Sequence, residues 1–394
     1  MNNKRLVFCT LLMVTCSLLY AVDFGLTLDQ SGAFSTNGSE SNQDYSSIFV
    51  PRILTYWGES GELLISAGMK VEYQNETWSF VPELLRMEVS QGFGRWFARA
   101  GRMHYADPLG YIAQGLFDGG RVSFDTETAG TFGAGAWYTG FLYKNRADIT
   151  MTAEEHEALA LPVDFNDFNN SYFAPRRLIA AVDWEHPSFL DFCMVDFALL
   201  VQFDVSGENL NSQYLVGNIA LPFRNVLLDL GGCLGLIQNS EDSGVAFAAD
   251  VGISWTLPGI LPSRLSFLSR YTSGVSDSLK AFVPITNKPH GFTLKPGNSG
   301  LSLFSLDYAL RLNPDSSLNL SSTYFIRNDL VTYSSMGDEG HFLGNELFAQ
   351  FFWSPLSDMH VNLGAGIFLP SLGNAAPDAK SLWRIELNFI VSIF

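Results

Sequence analysis

Arginines and acidic residues recur in this chain within stretches where apolar and polar residues alternate. Arg99, Arg102, Arg121, Arg264, Arg270, Arg311 and Arg327, with Lys70, Asp250 and Asp307, fall on or beside the polar faces of such stretches. A guanidinium fork takes a carboxylate or phosphate through two parallel hydrogen bonds and stays charged at physiological pH. A row of forks on a wet wall would hold an anionic solute weakly and pass it on. We read these ten residues as pore-lining. A competing reading is open: opposite charges on neighbouring strands, with Asp29, Glu72, Asp196, Asp229, Arg384 and Glu386 among them, pair with one another and hold the wall together.

Other chemistries find less support. The six histidines are His104, His156, His186, His290, His341 and His360, and all but His360 are expected in loops or turns. None stands with a nucleophile or base motif, and no Cys or His cluster has metal-ligand spacing. No catalytic residue, metal or cofactor is expected. Glu154, Glu155, Glu157, Asp164, Asn166, Asp167 and Asn169 form an acidic run after a short helical patch, Thr152 to Leu161. The run lacks the spacing of a known calcium loop and is read as solvated.

The elements that would position the polar faces are strands. Leu63, Ile65, Ala67, Met69 and Val71 oppose Ser66, Gly68, Lys70 and Glu72; Val245, Phe247, Ala249, Val251 and Ile253 oppose Ala246, Asp250 and Gly252. Such period-two alternation suits a wall with lipid on one face and water on the other. Eighteen strands are expected, near 22–30, 46–57, 62–73, 78–90, 95–103, 117–125, 130–143, 176–185, 193–204, 213–222, 225–238, 245–256, 263–273, 300–312, 316–327, 345–354, 358–369 and 383–394. A miscounted pair would make sixteen. Every second link is short. The alternate links are mostly longer, and 31–45, 104–116, 144–175 and 274–299 are the longest of the early and middle ones. Short periplasmic turns and longer extracellular loops are the rule for an outer-membrane barrel. The fold class expected is all-β: a single transmembrane antiparallel β-barrel over 22–394. Loops 104–116, 144–175 and 274–299 are the candidates for folding into the lumen.

The two ends agree on the compartment. Lys4 and Arg5 precede an apolar stretch, and Leu19-Tyr20-Ala21 suits a signal peptidase, so 1–21 is read as a signal peptide cleaved near Ala21. Cys16 raises a lipoprotein reading, against which Thr15 is a poor match. The final strand carries Trp383, Ile385, Leu387, Phe389, Val391 and Ile393 on one face, with Ile390 and Phe394 out of phase. Such a strand closes a barrel and would present its end to the barrel-assembly machinery. A formal charge of −17 argues against nucleic acid. Charged residues at 16% with aromatics at 14% suit strands that give half their side chains to lipid. Cys193 and Cys233 are expected on non-neighbouring strands and opposite faces, which disfavours a disulfide.

Two segments carry a family resemblance. One is Gly101-Arg102, Asp107 and Phe117-Asp118-Gly119-Gly120-Arg121-Val122. The other is Tyr271-Thr272-Ser273-Gly274 with Asp277, Phe282, Pro284, His290-Gly291 and Asn298. Together they resemble the alginate-export type of outer-membrane porin. That resemblance implies eighteen strands and an arginine-lined passage for acidic sugars or related anions. The function expected is passive diffusion of small hydrophilic solutes through the outer membrane, with a bias toward anions as the further expectation. The alternative is a plugged surface barrel whose loops bind an extracellular ligand or partner. Outer-membrane lipid is the surrounding partner in either case.

Overall fold

The computed structural model describes residues 21–393, apart from 75–76, 208–209, 240–241 and 338. Residues 1–20 of the expected signal segment and Phe394 lie outside the described residues, and Ala21 begins the first strand. Eighteen antiparallel strands run in chain order: β1 Ala21–Thr36, β2 Ser41–Trp57, β3 Gly61–Gln74, β4 Thr77–Phe93, β5 Trp96–Ala106, β6 Gln114–Thr126, β7 Gly130–Tyr138, β8 Arg177–Phe189, β9 Cys193–Asp204, β10 Asn211–Phe223, β11 Val226–Gln238, β12 Ser243–Leu257, β13 Ser263–Thr272, β14 Leu301–Asn313, β15 Ser316–Arg327, β16 Phe342–Leu356, β17 Met359–Leu369 and β18 Leu382–Ile393. Each pairs with its sequence neighbours, and β1 pairs with β18 from Leu26↔Ile393 to Thr36↔Trp383. The barrel is closed. Closure leaves no sheet edge exposed to hydrocarbon, the condition for spanning a bilayer with strands.

The outer wall is apolar. Phe24, Met69, Val89, Val122, Leu199, Leu215, Leu234, Val251, Leu306, Leu347 and Leu363 are exposed on it. Exposed aromatics ring both ends. Trp96, Phe132 and Trp255 stand near the short turns, and Trp78, Phe203, Phe342 and Trp383 near the longer loops. This is the girdle pattern of a membrane barrel. No helix among the described residues is long and apolar enough to cross a membrane.

One link departs from expectation. Residues 31–45 are not a loop, since β1 and β2 run on to Thr36 and Ser41 and turn tightly over 37–40. Asn37 Oδ1 accepts the N–H groups of Ser39 and Glu40 and fixes that turn. His104 and His186, expected in loops, lie within β5 and β8. Cys193 and Cys233 lie on β9 and β11, which are not neighbours.

The interior is divided into two unlike sides. Tyr111, Ile112 and Ala113 of loop 107–113, Leu142, Ala147, Ile149 and Met151 of loop 139–176, and Phe282 and Ile285 of loop 273–300 pack together against inward residues of β5–β12. All three candidate loops therefore fold into the lumen. The helix Ala153–Ala160 in the second loop starts at Thr152 with a capping box to Glu155, close to the expected patch. On the other side, around β18, β1, β2 and β3, the wall stays polar.

Candidate functional site: a polar recess beside an apolar plug

Side chains of β18, β1, β2 and β3 line a recess of about 470 Å³ that includes Ser31, Asp44, Lys70, Glu72, Arg384 and Glu386. A second recess of about 200 Å³ shares Ser31, Ser46, Lys70 and Asn388 with it and adds Asp29, Glu83, Asn145 and Arg146. Strand alternation puts the wall residues here, with apolar partners such as Phe24 and Phe34 facing out. Loops bring the rest. Arg146 comes from the four-residue helix Lys144–Ala147, and its fork meets Glu83 at 2.7 and 3.0 Å.

Lys295 approaches from loop 273–300 in a left-handed backbone conformation, φ 53°. Its pKa is lowered below the usual lysine value, first by burial and then by Arg384, against the opposing pull of Glu386, Asp44 and Glu346. The loop is held there by Glu346 of β16. That carboxylate is 1% exposed and accepts the backbone N–H groups of Phe292, Thr293 and Leu294 at 2.7–2.8 Å. Around the recess Lys70 pairs with Glu72 at 3.0 Å and Arg384 with Glu386 at 3.3 Å. The lining is thus mixed in sign, with cations from both wall and loop.

The ten expected pore-lining residues do not form one ladder. Lys70 is in the recess. Arg99 and Arg121 are register partners on β5 and β6; Arg121 is bound to Asp183, and Arg99 stands 3.8 Å from Glu88, which also holds Arg86. Arg264 and Arg311 line a separate recess at the short-turn end, and Asp307 lies four residues before Arg311 on the same face of β14, outside that recess. Asp250 and Arg270 form a half-closed cluster with Tyr111 and His290.

Two of the ten do not face an open lumen. Arg102 pairs in register with Met87, which is exposed on the outer wall, and with Asp118. Pairing between β4 and β5 stops at that point, although β4 continues toward Thr77. Freed carbonyls on the β4 edge need donors. Arg102 supplies one to Leu84 O, Tyr172 Oη gives another to Pro82 O at 2.6 Å, and Arg102 also binds Asp118 and Phe141 O. It is a wall clamp. Arg327 has an inward register, yet its side chain is fully buried and donates to Tyr333 O, Gly337 O and Gly340 O of loop 328–341. It closes that loop over the wall.

The sequence missed Arg146 as lining, Lys295 as a loop cation close to the recess charges, and Glu346 as the support of the Lys295 loop. Their signal was faint, because two lie in loops without periodicity. The quoted motif residues do converge. Asp107 accepts four N–H groups, from Leu109, Gly110, Ile112 and Ala113. His290 and Asn298 meet beside Arg270. Burial, then the charge of Arg270, push His290 down to about 3, and its Nε2 contacts both Arg270 Nη1 and Asn298 Oδ1.

No family model and no curated relative matches the chain. Solved structures do. OccK2 (OpdF) of Pseudomonas aeruginosa superposes with TM-score 0.65 at 13% identity, over 95% of this chain and 98% of that one. OpdK of the same organism gives 0.64 at 11% identity, over 95% and 99%. The fold is that of these outer-membrane porins. A third structure, OccK2 in complex with glucuronate, gives 0.64 at 13% over 96% and 100%. A resemblance to the alginate-export type rests on the two sequence segments alone.

Proposed function

We propose that this chain is an outer-membrane channel for passive diffusion of small hydrophilic solutes, and that anionic solutes are preferred. The observation that carries this reading is the division of the interior. Three loops pack apolar residues against β5–β12, while the β18–β1–β2–β3 side keeps a charged lining with Lys70, Arg146 and Arg384, and Lys295 of loop 273–300 is near enough to feel the charges of Arg384, Glu386 and Asp44. A barrel of eighteen strands is wide enough for water, and the loops narrow it to that polar side. The net charge of −17 does not set the preference, because field lines are shaped by the groups at the narrow part. Arg99, Arg121, Arg264 and Arg311 would attract anions toward that part from the short-turn end. The glucuronate bound by the similarly folded OccK2 is a carboxylate of suitable size. The outer membrane is the compartment in this reading, with the short turns periplasmic and the signal segment 1–21 removed.

The packed apolar side also favours a second reading, a plugged barrel whose loops bind an extracellular ligand. Planar-bilayer recording separates the two. Discrete conductance steps with anion-biased reversal potentials in a salt gradient support the channel. A correctly folded barrel that carries no current overturns it in favour of the plugged protein. No residue pattern supports catalysis in either reading.

A further inference from the structure

Arg270 stands on the inward face of β13, where a solute-binding arginine would be expected, but each of its three nitrogens already has a protein partner. Nε lies 2.8 and 3.0 Å from the two carboxylate oxygens of Asp250 on β12, and Nη2 lies 2.6 Å from Oδ2. Nη1 lies 2.9 Å from His290 Nε2. The guanidinium carbon sits 3.7 Å from the centroid of the Tyr111 ring, and Tyr111 Oη donates to Asp250 Oδ1 at 3.2 Å. Tyr111 belongs to loop 107–113 and His290 to loop 273–300. One wall side chain therefore touches both infolded loops, by stacking on one and by hydrogen bonding to the other.

The same two loops meet directly. Ile285 and Thr286 donate their N–H groups to Ile112 O at 2.7 and 3.0 Å, and Thr286 Oγ1 accepts from Gln114 N at 2.9 Å. Gln114 N of β6 and Tyr214 Oη of β10, which donates to Val283 O, tie the second loop to the wall, but neither reaches the first loop's Tyr111. Arg270 with Asp250 does. The pair is about nine-tenths buried, so its charges are mutually compensated and weakly screened. Arginine is suited to this place because its planar fork satisfies a carboxylate and its face stacks on an aromatic ring at once; lysine cannot do both.

We propose that Arg270 is a positioning residue, not a solute ligand: with Asp250 it latches loops 107–113 and 273–300 to the wall and so fixes the width of the passage. Since Lys295 is carried by the second loop, the latch also sets where that charge stands. This rests on the channel reading for its electrical consequence, but the latch itself has a readout that does not.

The test is Arg270→Met in the full barrel, with folding checked by heat-modifiable gel migration. Hydrogen exchange should quicken about tenfold in residues 107–113 and 285–298 and stay unchanged in β16–β18. In bilayers a steady current should become flickering. Arg270→Lys should flicker as well. The double variant Arg270→Met with Asp250→Leu, which leaves no unpaired buried charge, should still exchange fast because the latch is gone; a return to slow exchange would assign the effect to the stranded Asp250 carboxylate and overturn the proposal. Lost anion preference with loop exchange unchanged would overturn the proposal and make Arg270 a solute ligand. No change in either would show an idle ion pair and overturn it too. If the wild-type barrel carries no current, the channel reading fails, while the exchange result still decides the latch.

Discussion

Glu346 Oε2 accepts the backbone N–H of Thr293 at 2.8 Å, joining the wall of β16 to the loop that carries Lys295 two residues later. The same carboxylate takes the N–H groups of Phe292 and Leu294. Three successive donors around one buried anion make a stiff joint, because each hydrogen bond is charge-assisted and the site is closed to water. Replacing Glu346 by alanine removes all three acceptors at once. We expect the loop arrangement to lose about 3 kcal/mol, read as faster hydrogen exchange at 290–297, with the barrel's own unfolding temperature nearly unchanged. Full protection of those residues in the variant would show that the joint is held elsewhere.

Lys295 should dominate the charge selectivity. Lys295→Glu is expected to move the reversal potential toward cations, and Lys295→Ala to move it about half as far. The pH dependence follows from its lowered pKa. A lysine is cationic below its pKa, so the anion preference is full at neutral pH and fades on raising pH, earlier than an ordinary lysine near 10.4 would dictate. Reversal potentials between pH 7 and 10 check this. Lys295→Ala should flatten the curve; an equally steep curve in that variant would assign the titration to another group.

Acid should loosen the loop junction at Asp329. Burial raises the pKa of this carboxyl, but hydrogen bonds from Thr332, Val275 and Val331 outweigh it and leave the net value below the ordinary one. A depressed folded pKa contributes stability above the unfolded value, near 3.9, and that contribution is lost as pH falls through the folded value. Limited proteolysis of loops 273–300 and 328–341 by an acid-active protease should therefore accelerate below about pH 4. Asp329→Asn should cleave at the fast rate already at pH 6.

Arg102→Ala should cost stability and spare selectivity. It leaves Asp118 partly buried without its partner and Leu84 O without a donor, which is worth about 3–5 kcal/mol. Denaturant unfolding from lipid vesicles measures the loss. An altered reversal potential at unchanged stability would return Arg102 to the pore.

The strands were legible because lipid demands one apolar face. β9 and β15 have the bounds that alternation alone predicts, Cys193–Asp204 and Ser316–Arg327. The far half of β1 was not legible. Gln30 and Gly32 face outward with Phe34, so no apolar stripe separates that stretch from a loop. Arg102 was misplaced for a reason visible in the numbering. It lies three positions after Arg99, and a regular strand puts such a pair on opposite faces. Lys295 and Arg146 sit on irregular backbone. Only the tertiary placement of their loops, set by carboxylates such as Glu346 and Glu83, brings them to the recess.

The recess is walled by β18 and β1, the two strands farthest apart along the chain. Bringing them together carries the largest loop-closure entropy of any pair in the sheet. Their pairing also aligns Asn388 with Asp29, 2.8 Å apart, across the seam. The lining therefore comes into being at the step that seals the molecule. Until that step the recess has only part of its wall, so the last pairing of the sheet is also the one that completes its polar side.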